Sequence, residues 1–128
     1  MSQSPEAKLL IVDDNEGVRH LVARWLERAG FSVREAEDGA EAVEIIRRET
    51  PDIILSDIRM PKIDGIELAR IVKAENPRVK IILMTAYSSP QTIAQARREG
   101  VDDYLEKPFT KDQVERMARE VLAAEREG

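Results

Sequence analysis

Five polar side chains that are suited to chemistry lie far apart in the sequence, each at or just after the end of a short apolar segment. Three are carboxylates, one is a hydroxyl and one is an ammonium group: Asp13, Asp14, Asp57, Thr85 and Lys107. Carboxylates that lie close together repel one another, which favours protonation of one of them. A divalent cation removes that cost, and Mg²⁺ commonly combines one or two carboxylates with phosphate oxygens.

The same set of groups meets the needs of phosphoryl transfer. A carboxylate can act as a nucleophile and form an aspartyl phosphate. The protein must otherwise position the reactants and neutralise charge on the phosphoryl oxygens. Mg²⁺ and Lys107 can neutralise that charge, and the Thr85 hydroxyl can hydrogen-bond a phosphoryl oxygen. The set therefore predicts a site for phosphate chemistry.

The apolar segments next to these residues predict strands, because they are short and bounded by polar residues. Three of them are apolar enough to be buried on both faces of a sheet, whereas two are shorter or more polar, as edge strands are. In chain order the predicted strands are Lys8–Asp13, Ser32–Ala36, Ile53–Asp57, Lys80–Thr85 and Asp103–Glu106.

Segments with helical periodicity lie between the strands. Apolar residues recur at helical spacing from Val18 to Ala29 and from Val114 to Leu122, which is typical of helices with one buried face. Residues typical of helix starts and ends agree: Asp38, Asp64, Ser89 and Thr110, then Gly30 and Gly100. The alternation predicts an α/β fold of type (βα)₅, with a parallel sheet between helices. Ligands bind such sheets beyond the carboxyl ends of the strands.

Composition is typical of a globular domain and excludes several other classes. The chain has 128 residues, a net charge of −5 and no cysteine, so disulfides and thiolate chemistry are excluded. No apolar run approaches the ~20 residues of a membrane span. The sequence also lacks the concentrated basic face that direct binding of nucleic acid requires. We expect one cytoplasmic domain at residues 7–124, with an N-terminal tail at 1–6 and a tail or linker start at 125–128.

Four motifs at the predicted strand ends resemble those of a known family. They are Ile11-Val12-Asp13-Asp14, then Asp57-Ile58-Arg59-Met60-Pro61 with Asp64-Gly65, then Met84-Thr85-Ala86, and finally Lys107-Pro108-Phe109. In this order they resemble the receiver domains of two-component response regulators, such as the chemotaxis regulators. The resemblance implies a doubly wound, flavodoxin-like parallel sheet with strand order 2-1-3-4-5. It also implies a signalling domain that catalyses only its own phosphorylation and dephosphorylation, and not an enzyme that acts on other substrates.

The resemblance implies a role for each site residue. Asp57 is expected to accept the phosphoryl group, and Thr85 and Lys107 to contact it. The ligands implied for Mg²⁺, or for Mn²⁺ in its place, are Asp13, Asp14, Asp57 and the backbone carbonyl of Arg59. The peptide bond between Lys107 and Pro108 is expected to be cis.

A conformational switch is also implied by the resemblance. A phosphoryl group adds about −1.5 to −2 charges at one spot, so Thr85 and Lys107 gain a partner only in that state. Thr85 is expected to move towards it and Tyr104 to swing inward behind Thr85. The surface formed by the fourth helix, fifth strand and fifth helix would then change shape. A downstream effector or output domain is expected there, on a monomer or a phosphorylation-dependent dimer.

Parts of the sequence are similar to two receiver subfamilies, and the choice between them stays open. Gly17 to Arg19 and Met84 to Tyr87 are similar to stand-alone sporulation-relay receivers, whereas Leu55 to Pro61 is similar to receivers of nitrogen-regulation activators. In either case the expected donor is a phosphohistidine on a sensor histidine kinase or a histidine phosphotransfer protein. It is expected to dock near the start of the first helix, on Val18 and Leu21.

Two large residues next to the site predict a long-lived phosphorylated state. Arg59 comes two residues after Asp57, and Tyr87 comes two residues after Thr85. Neither is an acid or an amide, and both are expected to hinder an attacking water molecule. Autodephosphorylation is therefore expected to be slow. His20, by contrast, lies opposite the apolar face of its helix and is expected to be a solvated surface residue.

Other functions fit parts of the sequence. A haloacid-dehalogenase-like phosphatase also uses Asp, a hydroxyl, Lys and Mg²⁺. Those enzymes have an Asp-x-Asp motif at the nucleophile, however, whereas here Asp57 is followed two residues later by Arg59. A flavodoxin-like flavin protein would need a hydroxyl- and glycine-rich phosphate loop where this chain has Asp13 to Glu16. A phosphorylation-independent interaction module is the third alternative, and it would leave the site residues without a use.

Overall fold

Strands and helices alternate along the computed structural model, which describes residues 6–86 and 88–124. The strands are β1 (Lys8–Val12), β2 (Ser32–Ala36), β3 (Ile53–Asp57), β4 (Lys80–Thr85) and β5 (Asp103–Glu106). The helices are α1 (Glu16–Arg28), α2 (Gly39–Arg48), α3 (Gly65–Glu75), α4 (Pro90–Arg98) and α5 (Lys111–Ala123). The (βα)₅ prediction is confirmed, although β1 ends at Val12 and not at Asp13. Most of the two predicted tails, at 1–5 and 125–128, lies outside the described residues.

The five strands form one parallel sheet in the order β2-β1-β3-β4-β5. This order confirms the prediction, and it places the two more polar strands at the edges. The chain first moves from β1 outward to β2, then crosses back to β3 and continues in the opposite direction. The change of direction lies between β1 and β3, where doubly wound sheets commonly bind their ligands.

Both faces of the sheet are covered by helices, and the strand sequences explain why. Successive strand residues point to opposite faces, so a strand that is covered on both sides must be apolar throughout. Leu10 and Val12 pack on the side of α2, α3 and α4, whereas Leu9 and Ile11 pack on the side of α1 and α5. None of the helices in residues 6–86 and 88–124 has the length and hydropathy of a membrane span.

The helix starts are fixed by side chains that accept a hydrogen bond from the backbone three residues ahead, as N-caps do. The caps are Asn15, Asp38, Asp64, Ser89 and Thr110. Thr110 and Gln113 form a complete capping box, with distances of 3.1 and 2.8 Å. Four of these caps agree with the sequence-based prediction. Asn15 was not predicted, and it starts α1 directly after the acidic pair.

Gly65 allows α3 to begin against the end of β3. Its backbone nitrogen donates to the Ile58 carbonyl over 2.8 Å. A Cβ atom at this position would lie 2.3 Å from the backbone oxygen of Asp57 and 3.0 Å from the Ile58 Cα. Both contacts are with backbone, which has little freedom to move. The glycine therefore sets how closely α3 approaches the strand that carries Asp57.

Replacing Gly65 with Ala should destabilise the fold by about 1–3 kcal/mol, because an added methyl group overpacks a close backbone contact. The free energy of unfolding can be measured by urea titration with Trp25 fluorescence as the probe. Gly17 is a matched control, since a Cβ there would meet only the Asn15 Oδ1 at 3.5 Å. Gly17→Ala should leave the stability unchanged or raise it. Equal effects of the two substitutions would contradict this account of Gly65.

Candidate functional site

The register of the sheet brings the polar strand ends to one edge. Val12 pairs with Ser56 on β3, so the residues that follow them, Asp13 and Asp57, come next to each other. Asp57 in turn pairs with Met84, and Thr85, which follows Met84, pairs with Glu106. Lys107 is the first residue after β5. All five predicted site residues therefore reach the carboxyl edge of the sheet, on β1, β3, β4 and β5 or just beyond their ends.

Three carboxylates form a cluster at this edge. Asp13, Asp14 and Asp57 each offer an oxygen atom, and these oxygens lie within 4.8 Å of one another. Asp13 is buried, Asp14 is exposed and the Asp57 side chain is 14% exposed. The cluster thus extends from the interior to the surface. An ion or a small phosphodonor can reach it from solvent.

Lys107 is the positive charge of the cluster. Its Nζ lies 3.4 Å from Oδ2 of Asp13 and 3.4 Å from Oδ2 of Asp57. The Lys107 backbone nitrogen donates to the Thr85 carbonyl over 2.7 Å, which ties the start of the loop to the end of β4. The Lys107–Pro108 peptide bond is cis. When all the groups are ionised, one ammonium faces three carboxylates and two negative charges remain.

Burial raises the pKa of Asp57 above its usual value, and the neighbouring Asp13 carboxylate raises it further. The Lys107 ammonium and the backbone N–H of Arg59 both act in the opposite direction, since they favour the ionised form. Burial is the largest of these effects, so the net pKa is raised. Ionisation of Asp57 is therefore unfavourable in the folded protein, and a further cation next to it would reduce that cost.

The loop that carries the acidic pair is tied to the start of α1. The backbone nitrogen of Asn15 donates to Oδ1 of Asp13 over 2.9 Å, and the Asn15 side chain accepts from the backbone of Val18 over 3.0 Å. The backbone nitrogen of Asp13 donates to the Ala36 carbonyl of β2 over 3.2 Å. Asp13 is therefore held both by the start of α1, through Asn15, and by the end of β2, through Ala36.

The donor set fits a hard divalent cation. It consists only of carboxylate oxygens, which Mg²⁺ and Mn²⁺ prefer over softer ligands. Its excess of two negative charges matches a divalent ion, and the exposed Asp14 leaves room for water ligands. These oxygens lie within 4.8 Å of one another, and the three residues offer no nitrogen or sulfur ligand. The cluster thus meets the chemical requirements of the predicted metal site.

Thr85 and Tyr104 line a pocket between β4, β5 and α4. Thr85 is 5% exposed at the end of β4, and Tyr104 is half-buried and pairs with Leu83. Tyr104 packs against the core on the α2, α3 and α4 side of the sheet. The two predicted switch residues therefore share one pocket beside the acidic cluster.

The remaining predicted residues lie around this edge. Arg59 is exposed in the loop after β3, and Tyr87 lies outside the described residues. On α1, Leu21 is 50% exposed, whereas Val18 is partly buried and packs against the core. Leu21 is thus available to a partner, and Val18 contributes mainly to packing.

His20 is more connected than the sequence predicted. It is exposed, as expected, but its Nδ1 lies 2.6 Å from Glu35 on β2 and its Nε2 lies 3.3 Å from Glu16. Glu35 also accepts a hydrogen bond from Nε of Arg19 over 2.9 Å. Sequence reasoning missed this group, because a helical wheel shows which face a residue occupies but not which strand residue lies opposite.

A second contact that sequence reasoning missed joins the loop after β4 to the end of β5. The Ser88 hydroxyl donates to a Glu106 carboxylate oxygen over 2.6 Å. Ser88 comes three residues after Thr85, and Glu106 directly precedes Lys107. The sequence offers a faint signal for this pair, since both residues are polar neighbours of motif residues. The contact links the segments that carry the hydroxyl and the ammonium group.

Comparison with known proteins agrees with this geometry. Residues 9–119 match the sequence model of the response regulator receiver domain family. The DNA-binding transcriptional regulator NtrC of Escherichia coli is 40% identical over 104 residues, which is 81% of this chain and 22% of NtrC. Sporulation initiation phosphotransferase F of Bacillus subtilis is 32% identical over 115 residues, or 90% of this chain and 93% of that protein.

Solved structures show the same fold. The chemotaxis protein CheY4 of Vibrio cholerae superposes with a TM-score of 0.88 at 30% identity, covering 91% of this chain and 99% of CheY4. The relatives differ in length, however. The chain spans about a fifth (22%) of the NtrC proteins that it matches. It spans nearly all of the sporulation phosphotransferase and of CheY4.

Replacing Asp57 with Asn should stabilise the metal-free protein at pH 7, on the order of 1 kcal/mol. The raised pKa means that the folded state binds a proton more tightly than the unfolded state. Ionised Asp57 therefore costs stability above its folded pKa, and the cost vanishes below the ordinary pKa of an aspartate. The gain from the substitution should shrink as the pH falls through this window. Urea unfolding in the presence of a chelator, at several pH values, measures it.

A second variant checks the assigned cause. Lys107 lowers the pKa of Asp57, so Lys107→Met should make the ionised carboxylate more costly. In that background Asp57→Asn should stabilise the protein more than it does in the wild type. Destabilisation by Asp57→Asn at pH 7 without metal would contradict the electrostatic description of the site.

Proposed function

The chain belongs to the response-regulator receiver family, and we propose that Asp57 is its phosphoacceptor. The observation that carries this proposal is the position of Lys107, whose Nζ lies 3.4 Å from both Asp13 and Asp57. An ammonium held there balances the acids before the reaction and can pair with a phosphoryl oxygen after it. Asp57 is also the carboxylate that is both in contact with Lys107 and partly accessible to a donor, because Asp13 is buried. The proposed receiver unit spans residues 7–124.

In the proposed reaction a carboxylate oxygen of Asp57 attacks the phosphorus atom of a phosphohistidine. A P–O bond forms while the P–N bond breaks, and the leaving imidazole nitrogen keeps the electron pair of that bond. The protein contributes mainly position and charge, as phosphoryl transfer requires. Lys107 pairs with the phosphoryl oxygens, and the Thr85 hydroxyl donates a hydrogen bond to one of them. The reaction modifies the chain itself and is not turnover of an external substrate.

We assign Mg²⁺ to the acidic cluster, with Mn²⁺ as a substitute. Asp13, Asp14 and Asp57 would hold the ion together with the backbone carbonyl of Arg59. When bound, the cation neutralises charge on the phosphoryl oxygens. The all-oxygen donor set and its two excess negative charges support this assignment.

The phosphorylated site is proposed to switch the surface formed by α4, β5 and α5. Thr85 moves towards the new phosphoryl group, and Tyr104 moves inward behind it. The pocket that both residues line supports this coupling, because it places the aromatic ring next to the space that the threonine leaves. Through a loop with two stable conformations, a local change of charge can alter the shape of a surface farther away. A downstream effector or output domain would recognise the changed surface.

We propose that the chain is cytoplasmic and that its phosphodonor is a sensor histidine kinase or a histidine phosphotransfer protein. It would dock near the start of α1, where Leu21 is exposed and Val18 lies beside it. We propose that the chain works as a monomer or as a phosphorylation-dependent dimer, without itself contacting nucleic acid. Its net charge of −5 supports the last point.

Acetyl phosphate should label the wild type in the presence of Mg²⁺, whereas Asp57→Asn should abolish labelling, because an amide oxygen is a poor nucleophile. Omission of Mg²⁺, or Asp14→Asn, should reduce labelling strongly. Phosphate-affinity gel electrophoresis and intact-protein mass measure the modified fraction. Asp38→Asn is a matched control, since Asp38 caps α2 at the same edge of the sheet and Asn caps a helix equally well. Labelling of Asp57→Asn to the wild-type level, or labelling without metal, would refute the mechanism.

The lifetime of the phosphorylated state should depend on Arg59 and Tyr87. We propose that both residues hinder the attack of water on the aspartyl phosphate. Replacing both with Asn should therefore shorten the half-life severalfold, as measured by decay of the phosphorylated fraction after removal of the donor. Arg70→Asn serves as the control, because Arg70 is an exposed arginine within α3 that pairs with Glu67. An unchanged half-life in the double variant would remove both residues from the proposal.

A further inference from the structure

We propose that Arg19 is a positioning residue for the metal site, acting through the backbone between Asp13 and Asp14. The proposal rests on the metal site described under the proposed function. It assigns Arg19 no contact with the metal or with the phosphoryl group. Its role is to hold the peptide unit from which Asp14 projects.

Two hydrogen bonds fix the Arg19 side chain between α1 and β2. Its Nη1 donates to the backbone carbonyl of Asp13 over 2.9 Å, and its Nε donates to Oε1 of Glu35 over 2.9 Å. The side chain is only 11% exposed. A long, charged side chain that is buried to this extent has lost most of its rotamer freedom, so its guanidinium group holds a fixed position between its two partners.

The carbonyl that Arg19 holds belongs to the peptide unit between the two acids. The other groups of Asp13 have their own partners: its nitrogen donates to Ala36, and its carboxylate accepts from Asn15 and Lys107. The carbonyl lies in the planar peptide unit that ends at the Asp14 Cα, so holding the carbonyl helps to fix the atom from which the Asp14 side chain leaves the backbone. Arg19 thus acts on Asp14 through one covalent unit.

Asp14 depends on its backbone more than the other two acids do. It is exposed, and within residues 6–86 and 88–124 no donor hydrogen-bonds its carboxylate. Asp13 and Asp57, by contrast, are both held by Lys107. Without a side-chain partner, Asp14 depends on its backbone for its position at the cluster, and Arg19 holds the peptide unit on one side of it.

Glu35 makes a cation acceptable so close to a metal site. An unpaired guanidinium beside the cluster would repel a divalent ion, whereas the Glu35 carboxylate balances the charge of Arg19. The fork of the guanidinium also allows Nε and Nη1 to donate in two directions at once. A lysine ammonium could neutralise Glu35 or bond the carbonyl, but it lacks this rigid fork. Geometry, and not charge, is therefore the contribution of Arg19.

Binding of Mg²⁺ by the metal-free protein, measured by isothermal titration calorimetry, tests the proposal directly. Arg19→Gln should weaken binding by about 10-fold or more, the range found when partners that orient metal ligands are removed. The matched control is Arg34→Gln, because Arg34 is also paired with a glutamate, Glu49 at 3.0 Å, but does not touch the acidic loop. The control should bind Mg²⁺ with wild-type affinity.

Further variants separate geometry from charge and from folding. Arg19→Lys should restore only part of the affinity, and Glu35→Ala should weaken binding because it frees the far end of Arg19. The double variant Arg19→Gln with Glu35→Ala should bind no more weakly than Arg19→Gln alone, since both changes break the same connection. Urea unfolding of each variant without metal verifies that the titrations use folded protein.

The outcomes distinguish this proposal from the proposed function. Wild-type protein that does not bind Mg²⁺ would refute the metal site itself. Wild-type protein that binds, together with equal affinity in Arg19→Gln, would overturn the role of Arg19 and leave the metal site intact. Full restoration by Arg19→Lys would also overturn it, because charge alone would then explain the effect. Strictly additive losses in the double variant would overturn it too, because Arg19 and Glu35 would then act independently.

Discussion

Repulsion among three carboxylates at one edge of the sheet is the constraint on which the rest of the structure depends. Asp13, Asp14 and Asp57 lie within 4.8 Å of one another at their oxygens, and one ammonium group balances part of their charge. Burial makes the imbalance more costly and raises the pKa of Asp57. The fold holds this arrangement in place through its packed core, and a bound divalent ion or a phosphoryl group would change its charge. A site of this kind responds strongly to small charged ligands.

The parallel sheet makes such an arrangement possible without any long loop. Neighbouring strands end in register, so residues separated by tens of positions become neighbours in space. The helices then restrict the loops from two sides. Gly65 lets α3 approach Asp57 closely, and Asn15 starts α1 directly behind the acidic pair. Strands and helices therefore position the site residues, which lie at strand ends or in the short segments that follow them.

Local patterns in the sequence were sufficient to predict the alternation of elements, and polar residues at the predicted strand ends indicated that Asp13, Asp57 and Lys107 converge. The strand order followed from the resemblance that the strand-end motifs carry. The sequence was not sufficient for contacts that depend on which side chains meet across elements. The Arg19–Glu35 pair joins a helix to a strand, and the Ser88–Glu106 pair joins the loop after β4 to the end of β5. No periodicity encodes such pairs, since they depend on how the packed elements and the loops between them lie against one another.

The order in which the site residues occur along the chain has a consequence for synthesis. The three acids and Thr85 all precede β5, whereas Lys107 follows it. On the ribosome, the first four strands therefore emerge with their acids and without the lysine that balances them. Until Lys107 emerges, the nascent chain carries the three acids of the cluster without the ammonium group that balances part of their charge.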